Sequence, residues 1–262
     1  MNLPVEIANN YVTIAKGKTS QVWWKTLILA VMAGAFIALG AVLATAAGAD
    51  FTGSQASLIK GAVFPLGLIL VVICGAELFT GNCLLIIPTL SRDVKVTSTL
   101  KNLGIVYAGN FLGAFLIALL VVYSHTNPQK VAEACVITAN AKCSLSFGDS
   151  LLRGILCNIL VCLAVWSAMA SKNAVGKMLA VYLPVFAFVA CGFEHSVANM
   201  YYLTAGLLTK VEYSLAAESL NVGNAILYSL LPSTIGNVIG GALIGVAYWA
   251  IFLSKKKGQP EE

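Results

Sequence analysis

Gly192-Phe193-Glu194-His195-Ser196-Val197-Ala198-Asn199 sets a glutamate beside a histidine inside an otherwise apolar stretch. An ionisable group at membrane depth costs roughly 2.5 to 3.5 kcal/mol on insertion scales, so such groups face a bundle interior or a water-filled cavity and mark a pathway. His195 is one of only two histidines in the chain. An earlier stretch, Gly75-Ala76-Glu77-Leu78-Phe79-Thr80-Gly81-Asn82, carries Gly, Glu and Asn in the same relative places. Gly75 and Gly192, Glu77 and Glu194, and Asn82 and Asn199 all lie 117 residues apart. Two copies at one offset point to an internal duplication.

Working outward, 59% of the 262 residues are hydrophobic, 10% are charged, and the mean hydropathy is +0.87. Those values place the chain among all-α polytopic membrane proteins, as one transmembrane domain over 1–262 with no separate soluble part. The 16 basic and 11 acidic residues give +5, but the basic ones sit between apolar runs. They orient the chain and do not make a nucleic-acid surface. Met1 to Gln21 is polar, with no apolar core and no small-residue cleavage site. It is read as a retained cytoplasmic arm, 1–26 at most, able to form a short surface helix, and not as a signal peptide.

Leu27–Ala47 is the first span, with Gly34 and Gly40 for close helix contact. After a polar connection from Gly48 to Lys60, the second runs from Gly61 to Leu90, too long to be one plain helix and expected to break over Glu77–Asn82. Leu103–Tyr123 is the third, containing Gly109-Asn110-Phe111-Leu112-Gly113, and Ser124–Asp149 is a polar loop. Leu151–Ala170 is the fourth, with Asn158 near its middle as an interhelical hydrogen-bonder or a pore-lining group. Met178–Leu208 is the fifth, with Pro184 upstream of a break near Glu194; Ala225–Leu253 is the sixth, with Gly236-Asn237-Val238-Ile239-Gly240 repeating the motif of the third. Eleven Lys and Arg fall on the side of the arm and the Lys255–Lys257 tail and five on the other, so both termini are expected in the cytoplasm of a cell-membrane protein. Three spans per repeat, about 27–123 and 150–253, require the repeats to be inverted, with the broken spans two and five meeting near the midplane.

Half-helix N-termini facing such breaks favour a small anion. Leu68, Leu78 and Phe188 are the bulky residues nearby, as constrictions or as plain core. Thr80 offers a hydroxyl, and His195 is the one group there able to change charge near neutral pH. Glu77 and Glu194, with Asn82 and Asn199, are expected to be structural, the carboxylates accepting from backbone N–H groups freed at the breaks. Lys142 is either an anion-attracting charge or a solvated loop lysine. The seven cysteines show no metal-ligand spacing; Cys135 and Cys143 share the external loop, where bridging would need an oxidising compartment.

Gly-Ala-Glu-Leu-Phe-Thr-Gly-Asn at 75–82 and Gly-Phe-Glu-His-Ser-Val-Ala-Asn-Met at 192–200 resemble the formate/nitrite transporter family over nearly the whole chain. Cys157-Asn158, Val161 to Trp166 and Ile235 to Gly241 are similar to its fourth and sixth spans. The resemblance implies an aquaporin-like six-span protomer in a homopentamer, each protomer with its own pore for a small monovalent anion such as formate, nitrite or hydrosulfide, and no cofactor or metal. It implies Leu68 and Leu78 at a cytoplasmic constriction, Phe188 at an external one, and His195 and Thr80 between them. Lys142, five residues before Phe147, stands where the family has a vestibule lysine, and Asn158 and Asn237 match polar positions near the pore. The first break reads Glu-Leu-Phe-Thr-Gly-Asn where formate channels tend to have Asp-Leu-Phe-Thr-Ser. That wording is more similar to the nitrite or hydrosulfide branches, and the overall look of the second span puts hydrosulfide ahead with nitrite or formate close behind; passive flow and proton-coupled symport are both open. A neutral-solute pore lacks its paired Asn-Pro-Ala here, and an enzyme reading of Ser196 beside His195 has no Gly-x-Ser-x-Gly elbow or metal cluster behind it.

Overall fold

The structure, a computed structural model, describes residues 1–254; the Lys255–Lys257 tail counted above lies outside the described residues. Those described residues form helices and connecting turns without a strand. In chain order the helices are α1 (Pro4–Ser20), α2 (Trp23–Gly48), α3 (Gly53–Cys74), α4 (Phe79–Leu90), α5 (Val96–Tyr123), α6 (Gln129–Cys143), α7 (Phe147–Ala170), α8 (Ala174–Ala190), α9 (Ser196–Glu212) and α10 (Val222–Phe252). Helices α2, α3, α5, α7 and α10 are long and apolar enough to cross a membrane, and α4 and α8 are shorter apolar helices. Apolar side chains all around such helices leave one face for packing and another for lipid.

Small residues set how closely these helices approach. A Cβ added to Gly34 in α2 would strike the carbonyl of Asn110 in α5, and one added to Gly113 would strike the carbonyl of Val31. The other half of the chain repeats the arrangement: a Cβ on Gly236 or Gly240 in α10 would strike the carbonyls of Leu151 or Ile155 in α7. The twin Gly-Asn-x-x-Gly motifs are thus the seams that seat α5 on α2 and α10 on α7. Gly113→Ala and Gly240→Ala are expected to cost about 1–3 kcal/mol each by overpacking. Gly104→Ala, whose Cβ meets nothing within 4 Å, should leave the protein unharmed; thermal midpoints from fluorescence-detected size exclusion check all three.

Several boundaries differ from expectation. Helix α3 starts at Gly53, inside the stretch expected to be a polar connection. The first break spans Gly75 to Leu78, and Phe79 to Asn82 already belong to α4, so the non-helical turn begins two residues before the expected Glu77–Asn82 and shares only Glu77 and Leu78 with it. The second break falls where expected, after Ala190 and before Ser196; Pro184 lies inside α8 without ending it. Gly75 and Gly192 cap their helices at φ +75° and +68°, and a Cβ on either would meet nothing. Glycine is needed at both for its left-handed backbone alone.

Two stretches expected to lie apart from the bundle are built into it. The N-terminal arm forms α1, but Ile7, Ala8, Tyr11 and Ala15 are buried on one face against Leu84, Leu85, Ile87 and Trp166, so it is docked and not a free surface helix. The stretch expected as a polar loop contains α6, whose Ala132, Cys135, Val136, Ala139 and Cys143 are buried at helical spacing. All seven cysteines are free. Cys135 and Cys143, eight residues apart along one helix, are separated by a rise of about 12 Å, well beyond disulfide reach.

Candidate functional site

The two breaks meet through side chains. Thr80 Oγ1 and His195 Nε2 are 3.0 Å apart, and both residues are buried. His195 is also the N-cap of α9: its Nδ1 accepts from the Ala198 N–H at 3.1 Å. An acceptor at Nδ1 leaves the neutral ring's proton on Nε2, aimed at Thr80.

On the α1 side of this contact lies a cavity of about 280 Å³, walled by Leu68 and Leu78 and reached by Lys18, Glu77, Asn82 and Lys177. On the opposite side lies one of about 120 Å³, walled by Phe188 and reached by Lys60, Lys142, Glu194 and His195. Phe188 stacks on the His195 ring at 5.8 Å and meets Phe64 edge-on at 5.9 Å. Leu68, Leu78 and Phe188 are each 3% exposed, so the two cavities are separated by apolar walls with the Thr80–His195 contact between them.

The glutamates do not do what the sequence led us to expect. Glu77 accepts from Lys18 Nζ at 2.9 and 3.0 Å and from Asn82 Nδ2 at 2.7 Å. Glu194 accepts from Lys142 Nζ at 2.9 Å on both oxygens and from Asn199 Nδ2 at 2.7 Å. Each carboxylate therefore holds a lysine and an asparagine, not backbone N–H groups. The asparagines are tied in further: Asn82 Nδ2 also donates to Asn102 Oδ1, and Asn199 Nδ2 to the hydroxyls of Ser229 and Ser233.

Freed backbone groups at the breaks go to Asn110 and Asn237 instead, while the N–H groups of Glu77 and Glu194 donate to the carbonyls of Leu29 and Arg153. Asn110 Oδ1 accepts from the Phe79 N–H, and its Nδ2 donates to the carbonyls of Ala30 and Glu77. Asn237 Oδ1 accepts from the Ser196 N–H, and its Nδ2 donates to the carbonyls of Gly154 and Glu194. One amide spans each break because it has a donor and an acceptor on adjacent atoms, which a carboxylate lacks. Asn158 donates to the carbonyls of Thr80 and Asn237, tying the second clamp to α4. Asn158 and Asn237 are fully buried and line neither cavity; their geometry is that of backbone clamps.

Lys142 is no solvated loop lysine. Its side chain is 15% exposed, salt-bridged to Glu194, and lies 5.4 Å from the Tyr202 ring centre. Lys18, its counterpart at the other break, was not singled out from the sequence. The duplication called for a cation beside Glu77 once Lys142 stood beside Glu194, but α1 lies outside the repeats, so no offset led to it.

Comparison with known proteins gives the family. The family profile described as formate/nitrite transporter matches residues 5–250. The chain is 39% identical over 267 residues to the uncharacterized transporter YrhG of Bacillus subtilis (strain 168), covering 98% of this chain and 96% of that one. It is 38% identical over 248 residues to the formate channel FocA of Escherichia coli (strain K12), covering 87% of each. Among solved structures, an FNT family ion channel superposes with a TM-score of 0.85 at 27% identity, covering 93% of this chain and 98% of that one. A pentameric formate channel with formate bound gives 0.78 at 29%, covering 88% and 98%. The match spans α1, both helix breaks and both asparagine clamps into α10, and on that span the chain belongs to the formate/nitrite transporter family.

Proposed function

We propose that this protein is a plasma-membrane channel for small monovalent weak-acid anions, with formate first among its substrates. The observation that carries the reading is the buried Thr80–His195 contact between two separate cavities with apolar walls. In this reading α3 with α4, and α8 with α9, are single crossings broken near the midplane, giving six in all. Residues 27–123 and 150–253 are then two inverted, aquaporin-like repeats of one domain, since an odd number of crossings reverses the second. The charge bias puts both termini and the Leu68–Leu78 cavity in the cytoplasm and the Phe188 cavity outside. Exposed apolar side chains such as Leu112, Leu116, Leu120, Leu183 and Ile251 are available to lipid and to neighbouring protomers of a homopentamer, the assembly carried by the solved pentameric formate channel.

Formate moves ahead of hydrosulfide and nitrite because FocA is named a formate channel and a solved neighbour holds formate. The Glu-Leu-Phe-Thr-Gly-Asn wording of the first break, which favoured nitrite or hydrosulfide, weighs less once Glu77 and Asn82 are seen bound to Lys18. An anion reaching the throat meets the Nε2–H of His195 and the Thr80 hydroxyl as donors. The low-dielectric walls at Leu78 and Phe188 disfavour the charged form, so the substrate passes them as the neutral acid. With Nδ1 engaged by Ala198, His195 orients the anion, and the proton arrives through cavity water.

Flux of formate, nitrite, hydrosulfide, chloride and glycerol into liposomes holding the purified protein, at several pH values, tests the reading. Weak acids should pass, faster as pH falls, with chloride and glycerol excluded. Rapid glycerol passage with weak acids excluded would replace it by a neutral-solute pore.

A further inference from the structure

We propose that Lys60 and Lys177, beside the ion-paired Lys18 and Lys142, are charges that draw an anion into the two vestibules. This rests on the channel reading and adds its charge-selecting residues. The two lysines are themselves 117 residues apart, the offset that relates Glu77 to Glu194 and Asn82 to Asn199. Each stands fifteen residues before its break glycine, Gly75 or Gly192. At 1.5 Å per residue that puts each about 22 Å along its helix from its own break, beside the cavity that holds the other break's glycine. Lys60 lines the Phe188 cavity and Lys177 the Leu68–Leu78 cavity.

What separates them from the other pair is compensation. Lys142 is cancelled by Glu194 and Lys18 by Glu77, through contacts of 2.9 Å with side chains mostly buried. Beyond a few ångströms an ion pair acts as a dipole, whose pull on an anion falls off faster with distance than that of a lone charge. Lys60 and Lys177 make no salt bridge or hydrogen bond among the described residues, and both are partly exposed. The acids in the two cavity walls are Glu194 and Glu77, each already taken. The stem of Lys60 is laid against α2: a Cβ on Gly48 would lie 2.6 Å from its Cε and 2.8 Å from its Cγ. That packing fixes the stem, and the residue keeps partial exposure beside the cavity. Each vestibule thus carries one net positive charge between low-dielectric walls, which concentrates anions ahead of the apolar barrier.

The test uses Lys60→Met and Lys177→Met, which keep the stem and remove the charge, beside Lys60→Arg and Lys177→Arg. Pentamer recovery by size exclusion confirms that each variant is folded. Formate, nitrite and hydrosulfide fluxes are measured in right-side-out and inside-out membrane vesicles, with sodium gluconate varied on one face and osmolality balanced by sucrose. At about 10 mM ionic strength, where the Debye length is about 30 Å, each Met variant should lose flux about fivefold and each Arg variant little. At about 1 M, where it is about 3 Å, the difference should shrink below about twofold. Lys60→Met should lose the response to salt on the outer face and keep the inner one, and Lys177→Met the reverse. Exchange of the two faces would reverse the orientation and leave the assignment standing. Met variants with wild-type flux and salt response on both faces overturn this inference alone; a wild type that carries none of the three anions overturns it together with the channel reading.

Discussion

Glu194→Ala is expected to destabilise the protein by about 3–5 kcal/mol, because it strands the Lys142 ammonium in a largely buried site. The side chains of the pair are 15% and 5% exposed, against 22% and 8% for Lys18 and Glu77. Glu77→Ala should therefore do similar damage, somewhat less. Asp50→Ala breaks a pair of the same length, but its side chains are 76% and 66% exposed, and it should change stability by less than about 1 kcal/mol. The double variant Glu194→Gln with Lys142→Met removes both charges, so it should recover most of the loss. Thermal unfolding of detergent-solubilised protein distinguishes these cases, at about 2–4 °C per kcal/mol for a chain of this size. Equal midpoints for Glu194→Ala and Asp50→Ala would mean that the buried pair holds nothing in place.

The same contrast explains why the glutamates were legible and their partners were not. Duplication at a fixed offset reveals that Glu77 and Glu194 do the same job, and membrane depth reveals that each needs a partner. Which partner is a matter of tertiary approach. Lys142 reaches Glu194 from α6, a helix hidden in the sequence because its exposed residues outweigh five small buried ones. Lys18 reaches Glu77 from α1, which reads as a detached polar arm because only Ile7, Ala8, Tyr11 and Ala15 mark its inner face. The asparagine clamps were half visible. The twin Gly-Asn-x-x-Gly motifs showed that Asn110 and Asn237 were equivalent, but only the approach of α5 and α10 to the breaks shows that each amide closes one. Residue type mattered too: a carboxylate can accept but not donate, so it could not have satisfied both the Phe79 N–H and the Glu77 carbonyl. The place of the second break followed from glycine alone, since left-handed Gly192 ends a helix whatever surrounds it.

The largest functional effect is expected at His195, where two substitutions separate its two jobs. Asparagine is a good N-cap, so His195→Asn retains an acceptor for the Ala198 N–H and removes the Nε2–H that faces Thr80. His195→Phe keeps the bulk stacked on Phe188 and removes both functions. Loss of the cap should cost the Phe variant about 1 kcal/mol that the Asn variant keeps. Both should lose formate flux by about ten- to a hundredfold, since a hydrogen bond to a charged group contributes about 1.5–3 kcal/mol. The pH profile then decides between an orienting donor and a titrating relay. A second ring proton has no place on Nδ1 while Ala198 donates to it, so the wild-type profile should follow the supply of protonated substrate, and the residual flux of His195→Asn should keep that shape. A residual profile in His195→Asn that loses its slope between about pH 5 and 8, where an unperturbed imidazole titrates, would make the histidine itself the proton carrier and break the link drawn here between its cap and its charge.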